Sequence, residues 1–284
     1  MKSKSIDKCQ ILLTNDDGIR SPGLWAAAAA LSEIGFVHVV APRAQYSGGG
    51  RSMPSTSDGM IEEQQVEVAG KVWTVYSVGG SPAQAVQHGV LEVLPVRPNL
   101  VVSGINYGEN VGSGITISGT VGAAMEGASL GVPSLAVSLE TSEEHHLSYS
   151  AEVNFSAAAY FTAYFARLLL ERNLPEDVHL LKVDVPSKAT LDTPWEMTRQ
   201  SMHRYFEPLP PVRTSWDHPA RVGYRRATDL DQDRPDTDAY AILVKQVVAV
   251  TPISLDLTSR VNLGDLSEFL REEADRIGCG KQAG

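Results

Sequence analysis

The 284-residue chain has no apolar run long enough to span a bilayer, and only two cysteines, Cys9 and Cys279, near opposite ends. The first lack excludes a transmembrane helix. The second leaves no disulfide framework and no metal-binding cysteine spacing, so both read as incidental thiols of a reducing compartment. Residues 1–5 lead into no apolar stretch, so no signal peptide is expected and the expected location is cytoplasmic. Basic residues are also short: 24 lysines and arginines against 34 aspartates and glutamates leave a net charge of −10. Duplex nucleic acid would need a basic stripe, which argues against that class of partner. An anionic substrate would need local neutralisation, and a divalent ion would supply it.

What is present gathers first in Ile11-Leu12-Leu13-Thr14-Asn15-Asp16-Asp17-Gly18. Three consecutive apolar residues predict a short strand buried on both faces, as in a parallel sheet. Ligands of open α/β sheets sit at the carboxyl ends of the strands. There this strand delivers two adjacent carboxylates beside an amide, hard oxygen donors suited to Mg²⁺ or Mn²⁺. A plainer reading makes Asn15 and the aspartates an Asx turn and helix cap. Ser21-Pro22 already offers a cap with proline at the first helical position, which favours the metal. Other chemistries fail nearby. An aspartyl-phosphate enzyme wants two aspartates one residue apart, and that spacing puts Asn15, an amide, in the nucleophile's place. No Gly-x-Gly-x-x-Gly follows the strand. The nearest fit to Gly-x-Ser-x-Gly, Gly79-Gly80-Ser81-Pro82-Ala83, carries a proline that marks a helix start.

Along the chain, Leu24, Ala27, Ala28 and Leu31 recur at helical spacing, and residues 36–40 form a second buried strand, completing a β-α-β unit. The loop Gln45-Tyr46-Ser47-Gly48-Gly49-Gly50 follows, open either to close approach of a ligand or to a flexible linker. A hairpin is expected around Ala69-Gly70 and a helix over 82–94, with His88 a surface or packing residue. Leu100-Val101-Val102 is another buried strand, emptying into Ser103-Gly104-Ile105-Asn106. Ser118-Gly119-Thr120 then opens a helix of small residues over 121–130, a polar entry suited either to an anion or to an ordinary Thr120 cap. Further strands are expected at 134–138 and 178–185, the latter as the last core strand, with a long helix over 153–172. Glu143-Glu144-His145-His146 reads as a solvated connection. Beyond Pro186 proline and charge rise. A strand-like run over 240–250 and a helix over 265–277 remain, an arm with too little apolar surface for its own core. The elements point to an α/β fold with a mostly parallel sheet over 8–185, followed by an extended C-terminal arm with strands and a terminal helix over 186–284.

These motifs together resemble the SurE family, the survival-protein 5′/3′-nucleotidases. The resemblance rests on residues 11–18, Ala41-Pro42 with Ser47-Gly48, Val101-Val102-Ser103-Gly104-Ile105-Asn106, and Ser118-Gly119-Thr120-Val121 with Ala123-Ala124-Met125-Glu126-Gly127. It reaches the arm at Thr237-Asp238, Val250-Thr251-Pro252 and Asp256-Leu257-Thr258. It implies a Rossmann-like three-layer core and one divalent metal ion (Mg²⁺ or Mn²⁺, with Co²⁺ also admitted) held by Asp16, Asp17, Ser47 and Asn106. It also implies hydrolysis of nucleoside 5′-monophosphates, with 3′-monophosphates as further substrates, and a homodimer or dimer of dimers that exchanges C-terminal elements. Bottom-up chemistry adds roles: Asp16 or Asp17 as proton acceptor, Ser118, Gly119 and Thr120 on the phosphoryl oxygens, and Asn15 and Gly104 shaping the pocket. The chain departs from the family at Ile117, where a tyrosine is usual, and at Ser81-Pro82-Ala83-Gln84-Ala85, where Thr-Pro-x-Asp-Cys is usual. An acidic residue common near Ser113-Gly114 is missing. The competing reading is a non-catalytic nucleotide-binding or regulatory protein using the same pocket.

Overall fold

The structure, a computed structural model, describes residues 9–276 apart from 69, 147, 148, 151, 228, 230 and 231. The chain opens with β1 (Gln10–Thr14), α1 (Pro22–Leu31) and β2 (Phe36–Pro42). A hairpin of β3 (Ile61–Val68) and β4 (Lys71–Val78) follows, then α2 (Pro82–His88) running into a π-turn (Gly89–Val93). Next come β5 (Leu100–Tyr107), α3 (Gly119–Ser129), β6 (Ser134–Leu139), α4 (Ser156–Glu171) and β7 (Leu180–Val185). The remainder holds β8 (Trp195–Met197), β9 (Phe206–Leu209), β10 (Gly223–Arg226), one helical turn α5 (Asp238–Tyr240), β11 (Val248–Ile253) and α6 (Leu263–Arg276). Ala69, Ile277 and Cys279 lie outside the described residues.

One sheet takes nine strands in the order β3-β4-β2-β1-β5-β6-β7-β11-β8. Its pairings are parallel except β3 with β4 and β7 with β11. From β1 the chain steps outward to β2 on one side, then returns to β5 on the other and continues to β6 and β7. The order thus reverses between β1 and β5, the place where such sheets open a ligand crevice. Both faces of β1 are covered, which is why its sequence shows no alternation. Ile11 and Leu13 meet Leu24, Ala28, Phe161 and Phe165 of α1 and α4. Leu12 meets Ala85, Val86 and Ala123 of α2 and α3 on the opposite face.

The arm departs from expectation. Residues 178–185 are not the last strand of the sheet: β11 pairs antiparallel with β7, and β8 pairs with β11 beyond it. Of the run expected as a strand over 240–250 only 248–250 is extended, in a strand that continues to 253; residues 238–245 turn helically. Lys182 and Asp184 of β7 are fully buried, and Lys182 Nζ lies 3.1 Å from Asp238 Oδ2 of α5 as well as on Asp184. Asp238 also accepts from the N–H of Ser201 (2.8 Å) and Gly112 (3.2 Å). Arm residues Tyr205, Ala239, Ile242 and Val247 share a small core with Val111. By contrast α6 leaves Leu263, Phe269 and Leu270 exposed. Among the described residues no helix is long and apolar enough to cross a membrane.

Candidate active site

Four segments converge at the carboxyl ends of β2, β1 and β5. The first is the turn after β1. Asn15 Oδ1 accepts from the Gly18 N–H and its Nδ2 donates to the Gly18 carbonyl, both at 3.1 Å. Asn15 therefore braces the turn internally, the Asx geometry of the plainer sequence reading. The aspartates it carries are not spent on that turn. Ser21 does begin α1 with Pro22 behind it, although its hydroxyl makes no cap bond.

Asp16 leans on the first turn of α3. The hydroxyl of Thr120 and the backbone N–H groups of Gly119 and Thr120 donate to its carboxylate. Ser118, not Thr120, is the cap, its Oγ accepting from the Val121 N–H at 3.1 Å. Gly119 is required by contact: a Cβ there would stand 2.6 Å from Asp16 Cβ and 2.8 Å from Oδ2. Two of the three residues expected to clamp phosphate, Gly119 and Thr120, thus also seat Asp16. Asp17 accepts from the Tyr107 N–H and from Gln45 Nε2, each at 3.1 Å.

The segment after β2 is docked, not a free linker. Tyr46 N–H donates to the Asp16 carbonyl (2.7 Å), and Gly50 N–H to the Ile117 carbonyl (2.9 Å). Arg51 Nε reaches the buried Glu126 of α3 at 2.7 Å. Ser47 stands exposed between these anchors. Asn106 is the penultimate residue of β5, just past a bulge between Ser103 and Asn106. Gly104 makes the bulge, with φ +132° and no room for a Cβ, which would lie 2.2 Å from the Val137 carbonyl oxygen. Gly104 acts on the site by shaping β5. Asn106 Nδ2 donates to the carbonyls of Tyr107 (3.2 Å) and Gly108 (2.6 Å). Only an amide nitrogen serves two carbonyls, so Oδ1 is left as an acceptor.

The electrostatics of the pair test whether a metal fits. Asp16 is 5% exposed and Asp17 2%. Burial raises both carboxyls, and for Asp17 burial first and the Asp16 charge second push the value up to about 8. Among the described residues neither has a cationic side chain beside it. No cluster of three or more His, Cys, Asp or Glu stands there either. The donors expected from the sequence are two carboxylates with neutral oxygens from Ser47, exposed in the segment after β2, and Asn106, near the end of β5. Two buried carboxylates lacking a counterion, with hard oxygen donors around them, fit a divalent cation.

His146 belongs to this neighbourhood, which corrects its reading as part of a solvated connection. Its carbonyl accepts from Gln45 Nε2 at 2.8 Å, so one amide bridges Asp17 and the 141–150 segment. Its ring lies against Gly108, with Nδ1 3.2 Å from Tyr224 Oη and Phe206 edge-on. Burial lowers its pKa. The arm's β9 and β10 provide those aromatic partners, and nothing local in the sequence around His146 announces them. Ile117 is 62% exposed beside the start of α3.

The chain is similar to known proteins over most of its length. The family model described as survival protein SurE matches residues 11–207. The chain is 43% identical to the 5'-nucleotidase SurE of Thermococcus gammatolerans, over 95% of this chain and 98% of that one. It is 40% identical to the 5'-nucleotidase SurE of Thermococcus kodakarensis, over 92% and 98%. The crystal structure of the SurE protein from Aquifex aeolicus superposes with a TM-score of 0.71 at 32% identity, covering 93% of this chain and 99% of that one. The motifs, the fold and these likenesses agree, and the chain belongs to the SurE family.

Proposed function

We propose that the chain is a metal-dependent 5′-nucleotidase that cleaves nucleoside monophosphates to nucleoside and phosphate. The observation that carries this is the buried Asp16–Asp17 pair without a counterion, set against the start of a helix at the switch point of the sheet. Asp16 and Asp17 hold a divalent ion with Ser47 and the free Oδ1 of Asn106. When bound, that ion supplies Lewis-acid charge beside the phosphoryl group and a water of lowered pKa. Mg²⁺, Mn²⁺ and Co²⁺ all suit such oxygen donors.

The protein's own residues do the rest. Gly119 and Thr120 fix Asp16 through its carboxylate, and Gln45 and the Tyr107 N–H fix Asp17, so the pair is preorganised. The phosphoryl oxygens are drawn to the same positive helix end at Ser118, Gly119 and Thr120, shared with the Asp16 carboxylate. Asn15 keeps the turn rigid and Gly104 sets the reach of Asn106. As water attacks phosphorus, its proton passes to a carboxylate oxygen of Asp16 or Asp17. The bond from phosphorus to the ester oxygen breaks, its electron pair stays on that oxygen, and the nucleoside leaves as an alcohol after protonation.

The exposed apolar side chains of α6 support a homodimer or dimer of dimers. The acidic balance and the few cysteines support a cytoplasmic enzyme without nucleic-acid or membrane partners. The test is phosphate release from nucleoside monophosphates with Mn²⁺ or Mg²⁺. EDTA should abolish it and metal should restore it, while Asp16→Asn and Asp17→Asn should lose most turnover with unchanged circular dichroism. Full activity in excess EDTA, with metal content verified as nil, would overturn the proposal.

A further inference from the structure

One strand outward from the aspartate pair, at the same end of the strands, the segments after β2 and β4 line an open groove of about 360 Å³. Arg43, Gln45 and Tyr46 line it from the β2 side, Ser57 and Asp58 from the connection between β2 and β3, and Gly79-Gly80 from the end of β4. Two of these residues also touch the aspartates: Gln45 donates to Asp17 Oδ1, and Tyr46 N–H to the Asp16 carbonyl. The groove therefore shares Gln45 and Tyr46 with the surroundings of the aspartate pair.

Its walls are fixed. Gln84, one of the residues that depart from the family pattern, completes a capping box with Ser81, accepts from Ser57 Oγ (2.7 Å) and donates to the Pro54 carbonyl (3.2 Å). That network anchors the 54–58 segment to α2. Asp58 is seated over Gly79, where a Cβ would lie 1.8 Å from Asp58 Oδ1. Its carboxylate takes the Met60 N–H at 2.9 Å and one Arg43 nitrogen 3.4 Å from both oxygens. Asp58 remains half exposed, so acceptor positions stay free. Arg43 is also 3.7 Å from Glu62, so these three side chains sum to −1 and offer little to a second phosphate.

We propose that this groove is the nucleoside subsite, in which Asp58 accepts hydrogen bonds from the ribose hydroxyls and Tyr46 borders the base. The inference rests on the nucleotidase reading above. A fixed carboxylate is the group that reads a ribose diol, because it accepts two O–H bonds and offers no competing donor. A site built around a hydroxyl discriminates against the substrate that lacks it.

The experiment compares adenosine 5′-monophosphate, its 2′-deoxy analogue and p-nitrophenyl phosphate, all with Mn²⁺, in wild type, Asp58→Asn and Tyr46→Ala. The nitrophenyl ester, which carries no ribose, is the reference for each protein. The wild type is expected to favour the ribonucleotide over the deoxynucleotide by about tenfold in kcat/KM, the scale of one charge-assisted hydrogen bond. Asp58→Asn should remove most of that preference, and Tyr46→Ala should raise KM for both nucleotides relative to the reference. An unchanged ribose preference in Asp58→Asn, or equal losses on all three esters in both variants, would overturn the subsite while leaving the nucleotidase reading standing. A wild type that hydrolyses none of the three would overturn that reading and the subsite with it.

Discussion

Adding one methyl group at Gly119 is the sharpest perturbation of the site. The new Cβ would sit 2.6 Å from Asp16 Cβ and 2.8 Å from Oδ2, well inside ordinary contact. Asp16 cannot simply swing away, because its carbonyl accepts from Tyr46 and the strand it follows, β1, is central in the sheet. The first turn of α3 is held too, by the Ser118 cap and by the Gly50 bond to Ile117. One of the two must move by the better part of an ångström. Overpacking of this kind costs about 1–3 kcal/mol, and a misplacement near 1 Å at reacting groups costs on the order of 100-fold in rate. Gly119→Ala should therefore lose roughly 100-fold in kcat/KM and need more Mn²⁺ for half-maximal activity. Gly119→Val should be worse, and Thr120→Ser, which keeps the hydroxyl on Asp16, should be milder than either. Gly114→Ala, with no atom within 4 Å of the new carbon, is the control and should match wild type. Phosphate release over a Mn²⁺ titration, with urea unfolding in parallel, measures both effects. A Gly119→Ala enzyme within twofold of wild type in rate and in Mn²⁺ requirement would refute the account of how Asp16 is held.

Three further outcomes are expected. Lys182→Met leaves Asp184 and Asp238 buried without their cation, and should cost about 3–5 kcal/mol in urea unfolding; adding Asp184→Asn and Asp238→Asn should recover part of it, and an unchanged midpoint in the single variant would count against the ion cluster as the arm's anchor. Phe269→Glu with Leu270→Glu places charge on the exposed apolar side of α6 and should shift sedimentation toward the monomer, whereas a wild type already monomeric at micromolar concentration would refute subunit contact through the arm. Ile117→Tyr restores the family's usual ring at an exposed position beside α3, so it should leave stability within about 0.5 kcal/mol while changing relative rates across a nucleotide panel; unchanged ratios would make residue 117 a bystander.

The sequence made the sheet centre readable because local signals sufficed there. Ile11-Leu12-Leu13 needs only two covered faces, and Leu24, Ala27, Ala28 and Leu31 need only helical spacing; both became β1 and α1. What was hidden depends on partners far along the chain. In β7, Lys182 and Asp184 look like the solvent side of an alternating strand, and Asp238 arrives from the arm to cover them. Opposite charges two residues apart on one strand face were the available signal. His146 looked solvated because Tyr224 and Phe206, which flank it, are also distant in sequence. The glycine of Ser118-Gly119-Thr120 was legible as close approach to something; the contact in this structure is the Asp16 carboxylate, a tertiary fact no local pattern carries.

The late position of β11 has a consequence for how the protein is made. Every proposed metal and phosphate contact is encoded before residue 121, so a ribosome has finished the chemistry long before it finishes the sheet. Until residues 248–253 emerge, β7 presents an unpaired edge, and unpaired edges invite pairing with other chains. Asp238, which takes the Gly112 N–H in the loop between Asn106 and Ser118, is translated late as well. A chain interrupted in the arm would carry all the proposed ligands yet lack the anchor for that loop and the cover for β7. Release of the finished chain is thus the step that turns an adhesive seven-stranded sheet into an enzyme, and nonsense mutations in the arm should yield aggregates instead of weakened catalysts.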